Sequence, residues 1–283
     1  MNINAKTEIY GIIGWPVEHS LSPAMHNAAF EHFGMNARYV PMPVEADALG
    51  GAAAGIRALN IKGVNLTVPH KVRIIEYLDA IEGVAAELEA VNVVDNRGGK
   101  LTGRNTDAEG FRQSLMEAGV EAVGRLAAVV GAGGASRAVI RALQAAGAEK
   151  IYLFNRTHEK AVAIAEKASG KGIAPVLPVK YSDAGARDIL RDCAIIINAT
   201  SLGLSRNDPP PIDPEPIHSG QTLVDLIYRP AETAFLAAGA AKGAKTVNGY
   251  GMLVFQALEA FRIWTGSAPP ASVMWDAGLK EQG

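Results

Sequence analysis

The chain has 283 residues, 48% of them apolar, and a formal net charge of -2 with charges of both signs scattered along it. That length builds one large or two modest domains, and no basic face is left to meet nucleic acid or an anionic membrane. One cysteine, Cys193, excludes an internal disulfide, and six histidines without HxxxH, HxH or CxxC spacing give no metal site. No stretch reaches the roughly 18 apolar residues of a membrane span, and no basic region followed by an apolar run opens the chain. The expectation is a cytoplasmic protein, monomer or homodimer, that binds a small molecule. Cys193, inside the run CAIII, reads as a core residue.

The first strand is predicted over 8–13 (EIYGII), followed by Ser20, Ser22 and Pro23, where Ser22 at an N-cap and Pro23 at the next position announce a helix. Ser20 is not needed for that cap, and two hydroxyls at a helix start are also suited to holding a carboxylate. His26 falls on the first turns and reads as packing. A strand at 39–43, a helix at 46–59 and a strand from 63 into the proline turn before Lys71 come next. In that strand Asn65 and Thr67 alternate with Val64, Leu66 and Val68, so one face is polar where the strand ends. Lys71 opens a helical pattern over 72–78 and is either a solvated lysine or part of a site. A strand over 87–94, a turn at 96–99 and a strand from 101 read as a hairpin, after which Thr106 and Asp107 stand where helix caps are usual, before a helix over 108–118.

From here strands at 126–130, 150–154, 174–180, 194–198 and 222–225 alternate with helices, which predicts a parallel, doubly wound unit. The first of these strands runs into Gly131, Ala132, Gly133, Gly134 and Ala135, and then into an Ala/Val/Ile/Leu helix: the strand, tight turn and helix of a dinucleotide-binding site. The second strand ends at Asn155, Arg156 and Thr157, with Lys160 one turn further, where an NAD-preferring fold places Asp or Glu on the ribose 2'-hydroxyl. Arg156 and Lys160 are either a solvated helix start or cations for a 2'-phosphate, and the position favours NADP. Tyr228 closes another strand and either reaches a ligand or packs; a long helix ending near Trp264 carries Gln256 on its apolar face, and a last helix follows Pro270.

These stretches resemble the shikimate dehydrogenase family over nearly the full length: SLSP at 20–23, NLTVPHK at 65–71, AVN at 90–92, GRNTD at 103–107, GAGGASRA at 131–138, NRT at 155–157, NAT at 198–200, DLIY at 225–228 and NGYGML at 248–253 with Gln256. Three positions depart from it: Ser136 for a third glycine, Phe255 for a common His, and Leu204 for a common Met. The resemblance implies an α/β fold of two domains, an N-terminal α/β substrate domain over 1–107 completed by 249–283, and a Rossmann-like doubly wound NADP-binding domain over 108–248, with the C-terminal helices returning to the first. It implies reversible reduction of 3-dehydroshikimate by NADPH. Ser20, Ser22 and Tyr228 would hold the substrate carboxylate, and Asn65, Thr67, Asn92 and Gln256 the ring hydroxyls. Lys71 would supply the proton, or stand as a fixed cation on the oxygen, with Asp107 orienting it. Gly131, Ala132, Gly133, Gly134, Ala135, Asn155, Arg156, Thr157, Lys160, Thr200 and Gly249 would hold NADP. The alternative is a relative that oxidises quinate or another cyclohexane polyol with NAD; members that take NAD tend to carry an acidic residue just beyond the Asn-Arg pair, where this chain has Thr157 and His158.

Overall fold

A computed structural model describes residues 3–170 and 172–282 and divides into two compact units, one of residues 1–110 with 254–283 and one of residues 111–253. In the first unit the elements run β1 (Glu8–Gly14), α1 (Ser22–His32), β2 (Ala37–Pro43), α2 (Leu49–Ala58), β3 (Gly63–Leu66), a 3-10 turn (Arg73–Tyr77), β4 (Ala80–Ile81), α3 (Val84–Leu88), β5 (Val93–Arg97) and β6 (Lys100–Arg104). Helix α4 (Asp107–Glu117) then leads into the second unit. The sheet order is β2-β1-β3-β5-β6-β4. β1 pairs in parallel with β2 and β3, while β3-β5 and the β5-β6 hairpin are antiparallel. Val64 and Leu66 turn into a core with Ile13, Leu49 and Ile56, which leaves Asn65 on the opposite face as the alternation requires.

Two expectations for this unit are corrected. The predicted strand over 87–94 is helix α3, a loop, and β5 from Val93, because Ala85 and Leu88 bury at helical spacing. Ser22 is not the cap of α1 but its first residue, preceded by Leu21, with Pro23 second. Its side chain is buried, and it is Ser20 whose hydroxyl oxygen accepts from the Ser22 N–H at 3.3 Å.

The second unit is wholly parallel. It contains β7 (Leu126–Val130), α5 (Gly134–Ala145), β8 (Lys150–Phe154), α6 (His158–Ala168), β9 (Val176–Val179), α7 (Ala186–Asp192), β10 (Ile195–Asn198), β11 (Thr222–Asp225), α8 (Ala234–Ala241) and β12 (Lys245–Val247). The order β12-β11-β10-β7-β8-β9 is the doubly wound one, with its reversal between β7 and β10. Both faces are covered: Ala127 and Val129 pack with α5 and α6 residues, and Ala128 and Val130 with Leu190 of α7 and Phe235 of α8. This double burial is why β7 reads as an unbroken apolar run rather than an alternation.

Helices α9 (Tyr250–Thr265) and α10 (Ala271–Gln282) end the chain, and α10 packs on α1 in the first unit. The α9 residues Phe261 and Trp264 join Tyr10, Phe30 and Tyr39 around His26, and the Trp264 indole donates to the Val94 carbonyl at 3.1 Å. His26 has no exposed surface, stacks on Tyr39 at 4.4 Å, and both ring nitrogens lack a hydrogen-bond partner. Burial therefore pushes its pKa from 6.5 down to about 3. Above pH 6.5 the ring is neutral in both folded and unfolded chains. As the pH falls from 6.5 toward 3 only the unfolded chain takes the proton, so this residue withdraws stability on acidification. Urea unfolding at pH 7 and pH 5 checks this: His26→Phe is expected to shrink the acid loss of stability by about 2 kcal/mol relative to the unaltered chain.

Candidate functional site

The polar face at the end of β3 collects most of the residues singled out in the first unit. Lys71 follows the proline turn, and its Nζ donates to Asp107 Oδ2 at 2.6 Å; the lysine side chain is 21% exposed and the aspartate 6%. Asp107 is the first residue of α4 rather than the residue before it, and neither carboxylate oxygen is spent on capping, since Oδ1 accepts from Asn92 Nδ2 at 2.9 Å. The Asp107 N–H is instead met by Asn105 Oδ1 at 2.9 Å, and Asn105 Nδ2 donates to the Ala90 carbonyl. A buried charge without a partner is costly, and here the carboxylate has a cation on one oxygen and an amide on the other.

Asn92 is the hub of the cluster. Its Nδ2 also donates to Thr106 Oγ1 at 3.0 Å and lies 3.5 Å from Gln256 Oε1, while its Oδ1 accepts from the Thr106 N–H at 2.8 Å. Its backbone carbonyl accepts from Asn65 Nδ2 at 3.1 Å, and Asn65 Oδ1 accepts from the Tyr39 hydroxyl at 2.7 Å. Thr67, half-buried, stands just beyond β3, with its N–H on the Ile13 carbonyl. The unit thus brings Asn65, Lys71, Asn92, Asp107 and Gln256 into one hydrogen-bonded set that extends to Tyr39, while Ser20 and Ser22 bond each other and, among the described residues, no hydrogen bond joins them to it. Apart from the one ion pair, it is built of neutral amides and hydroxyls, the groups that hydrogen-bond a polyol. Tyr39 and Asn105 are members that the sequence reading missed. Asn105, two residues ahead of a helical residue, carries a local signal for an Asx turn; Tyr39, in an apolar strand, carries none.

The second unit presents its candidates at the C-terminal ends of β7, β8, β10 and β11, around the reversal of strand order. Gly131 has φ +111, and a Cβ there would lie 2.8 Å from the Ala199 carbonyl oxygen, so the turn admits only glycine. Around Gly133 and Gly134 a Cβ would meet nothing within 4 Å, which leaves open space before the N-terminus of α5. Ser136 fits in place of a third glycine: it is fully buried and its Oγ accepts from the Gly133 N–H at 3.1 Å. Asn155 ties this turn to the end of β8, accepting from the Ala132 N–H at 3.1 Å and donating to the Thr157 carbonyl at 2.7 Å. Arg156 and Lys160 are exposed and, among the described residues, form no ion pair, so both cations stand ready for an anion beside Thr157 and the start of α6. This donor set fits the pyrophosphate and 2'-phosphate of NADP, with an open glycine turn at a helix start and two unpaired cations where an acidic residue would repel a phosphate.

Thr200 is held by Asn198, whose Oδ1 accepts from both its N–H (3.0 Å) and its hydroxyl (2.7 Å). Asn198 in turn donates to the buried Asp225 at 3.0 Å. Tyr228 follows β11 in this unit, half-buried, with burial raising its phenol pKa. Gly249 passes so close to Leu226 that a Cβ would lie 2.0 Å from its carbonyl oxygen. Among the described residues no group of three or more His, Cys, Asp or Glu is placed to hold a metal ion, and no helix is long and apolar enough to cross a membrane.

Three family models match consecutive parts of the chain: the shikimate dehydrogenase substrate binding domain over 12–94, shikimate / quinate 5-dehydrogenase over 115–205, and the shikimate 5'-dehydrogenase C-terminal domain over 249–277. The chain is 43% identical over 282 residues to the shikimate dehydrogenase (NADP(+)) of Moorella thermoacetica, covering 99% of this chain and 95% of that protein. It superposes on the crystal structure of shikimate dehydrogenase from Aquifex aeolicus with a TM-score of 0.90 at 42% identity, covering 98% of this chain and 99% of that one. With the Thermus thermophilus shikimate 5-dehydrogenase in complex with NADP(H) and shikimate the TM-score is 0.86 at 37% identity, covering 96% and 99%. By sequence along its whole length and by the fold of both units, the chain belongs to the shikimate dehydrogenase family.

Proposed function

We propose that the chain catalyses the reversible, NADPH-dependent reduction of 3-dehydroshikimate to shikimate, with the first unit as substrate domain and the second as NADP domain. It is an enzyme of the family whose relatives carry that activity in their names. The observation that carries the residue roles is the Lys71–Asp107 pair set among neutral amides. NADPH, when bound, supplies the hydride to the ketone carbon.

The remaining chemistry falls to the chain. As the carbonyl is reduced, negative charge collects on its oxygen, and a cation already fixed beside that oxygen stabilises the change without reorganising. Lys71 Nζ spends one proton on Asp107 and keeps two more for the substrate side; it delivers one to the oxygen in reduction and accepts it back in oxidation. Asp107 holds the amine in place and is itself held by Asn92, so a lysine with a flexible four-carbon stem is confined to one direction. Asn65, Thr67, Asn92 and Gln256 bind the ring hydroxyls, and Ser20 and Ser22 the carboxylate. A polyol lacking one hydroxyl leaves a buried amide of this set unpaired, which rejects it. In the second unit the turn from Gly131 to Ala135 takes the pyrophosphate with Thr200 and Gly249 beside it, and Asn155, Arg156, Thr157 and Lys160 take the 2'-phosphate. The single, buried Cys193 suits a reducing compartment, and we place the reaction in the cytoplasm.

Lys71→Met is expected to lower kcat with shikimate and NADP by roughly a thousandfold while NADPH affinity, read by fluorescence titration, stays as in the unaltered protein. An unchanged turnover would overturn the assignment of Lys71. Replacing Arg156 and Lys160 together by Ala is expected to raise the KM for NADP by about ten- to a hundredfold and leave that for NAD within about twofold. Steady-state assays of shikimate and quinate, each with NADP and with NAD, read this out; equal losses with both cofactors would mean that the two cations do not meet the 2'-phosphate, and a preference for quinate with NAD would reassign the substrate.

A further inference from the structure

We infer that Tyr39 is a positioning residue for substrate binding, orienting the Asn65 amide from behind. This rests on the reading above that Asn65 binds a ring hydroxyl. Tyr39 lies buried in β2, with 1% of its surface exposed, on the Oδ1 side of the Asn65 amide. Its hydroxyl is the second partner of Asn65, at 2.7 Å.

The direction of each bond follows from what each group can do. The Asn92 carbonyl only accepts, so the side of the Asn65 amide facing it at 3.1 Å is Nδ2. The oxygen Oδ1 is then the side facing Tyr39, and the phenol must donate to it. Asn65 is left with one N–H and one lone pair, in a plane set at both ends, by Asn92 on one side and Tyr39 on the other.

Tyr39 is itself held on three sides. Asn27 bonds both its backbone groups, donating to the carbonyl at 2.9 Å and accepting from the N–H at 2.9 Å. Its ring lies flat on His26, 4.4 Å between centroids with the planes 9° apart, and near Trp264 at 6.2 Å. These contacts hold the ring, not the hydroxyl, so Phe at position 39 keeps its seat and removes only the bond to Asn65. Without the phenol, one end of the Asn65 amide is no longer fixed and its buried oxygen has lost its donor.

Tyr39→Phe is therefore expected to raise the KM for shikimate about tenfold, with kcat within about threefold and the KM for NADP unchanged. A general loss of fold would move all three together and is checked by the melting temperature. Asn65→Ala alone tests the underlying reading: an unchanged shikimate KM there removes Asn65 from the substrate site and the inference with it. If Asn65→Ala does raise that KM, the double variant decides. A Tyr39→Phe effect that disappears on the Asn65→Ala background shows that Tyr39 acts through Asn65; effects that multiply, or a Tyr39→Phe enzyme with unaltered shikimate KM, overturn the inference. In the unaltered protein the Tyr39 hydroxyl proton is expected to exchange slowly and to show a nuclear Overhauser effect to the Asn65 side-chain amide. That reading does not depend on any variant folding, and absence of the contact would also count against the inference.

Discussion

Both oxygens of one buried carboxylate are committed, and the site in the first unit is arranged around that fact. Asp107 gives Oδ2 to Lys71 and Oδ1 to Asn92, so a charge that would be expensive to bury alone has a cation and an amide in place. Because Asn92 is held by Asp107 and Thr106, its backbone carbonyl is also in position to take Asn65. The chain of bonds then continues to Tyr39. For the reaction proposed above, a lysine placed this way would need no large movement to meet developing negative charge. Preorganisation of this kind is worth more than the same groups free in water.

The second unit uses the same device in another setting. Loops at the ends of parallel strands have backbone groups with no ladder partner, and asparagine side chains supply the missing bonds. Asn155 fastens the glycine turn to the loop after β8, and Asn198 fastens the loop carrying Thr200 to Asp225 on the neighbouring strand. Asp225 accepts from Asn198, the Ile227 N–H and the Thr233 hydroxyl, and the same hydroxyl oxygen caps α8 by accepting from Leu236. Burial raises the Asp225 pKa, and three donors oppose that shift. The cofactor side is thus held by short local bonds from the scaffold, while Arg156 and Lys160 remain exposed.

The legible parts of the chain were those where one physical rule acts locally. Strands covered on both faces read as apolar runs, and β7, β8 and β11 fall where those runs lie. The Gly131 turn was legible because no other residue takes its backbone geometry. The short β12, Lys245–Val247, has little apolar surface of its own and is a strand only because β11 offers it an edge. The stretch before β5 misled because Glu87, Leu88, Glu89 and Ala90 alternate polar and apolar, while the positions that bury in α3, Ala85 and Leu88, are a helical turn apart.

The sequence by itself determined the residue types of the candidate site, the strand-turn-helix with its glycine turn, and the cations in place of an acidic residue at the end of β8, since each depends on neighbours a few positions away. Tertiary structure decided which of two open readings each polar residue takes. Asp107 was a good helix cap on local grounds, and what took it from that duty was Asn92 and Lys71, 15 and 36 positions away. A hydrogen bond is satisfied by the nearest partner in space, and that partner is chosen by the packing of the sheet rather than by the spacing of residues along the chain.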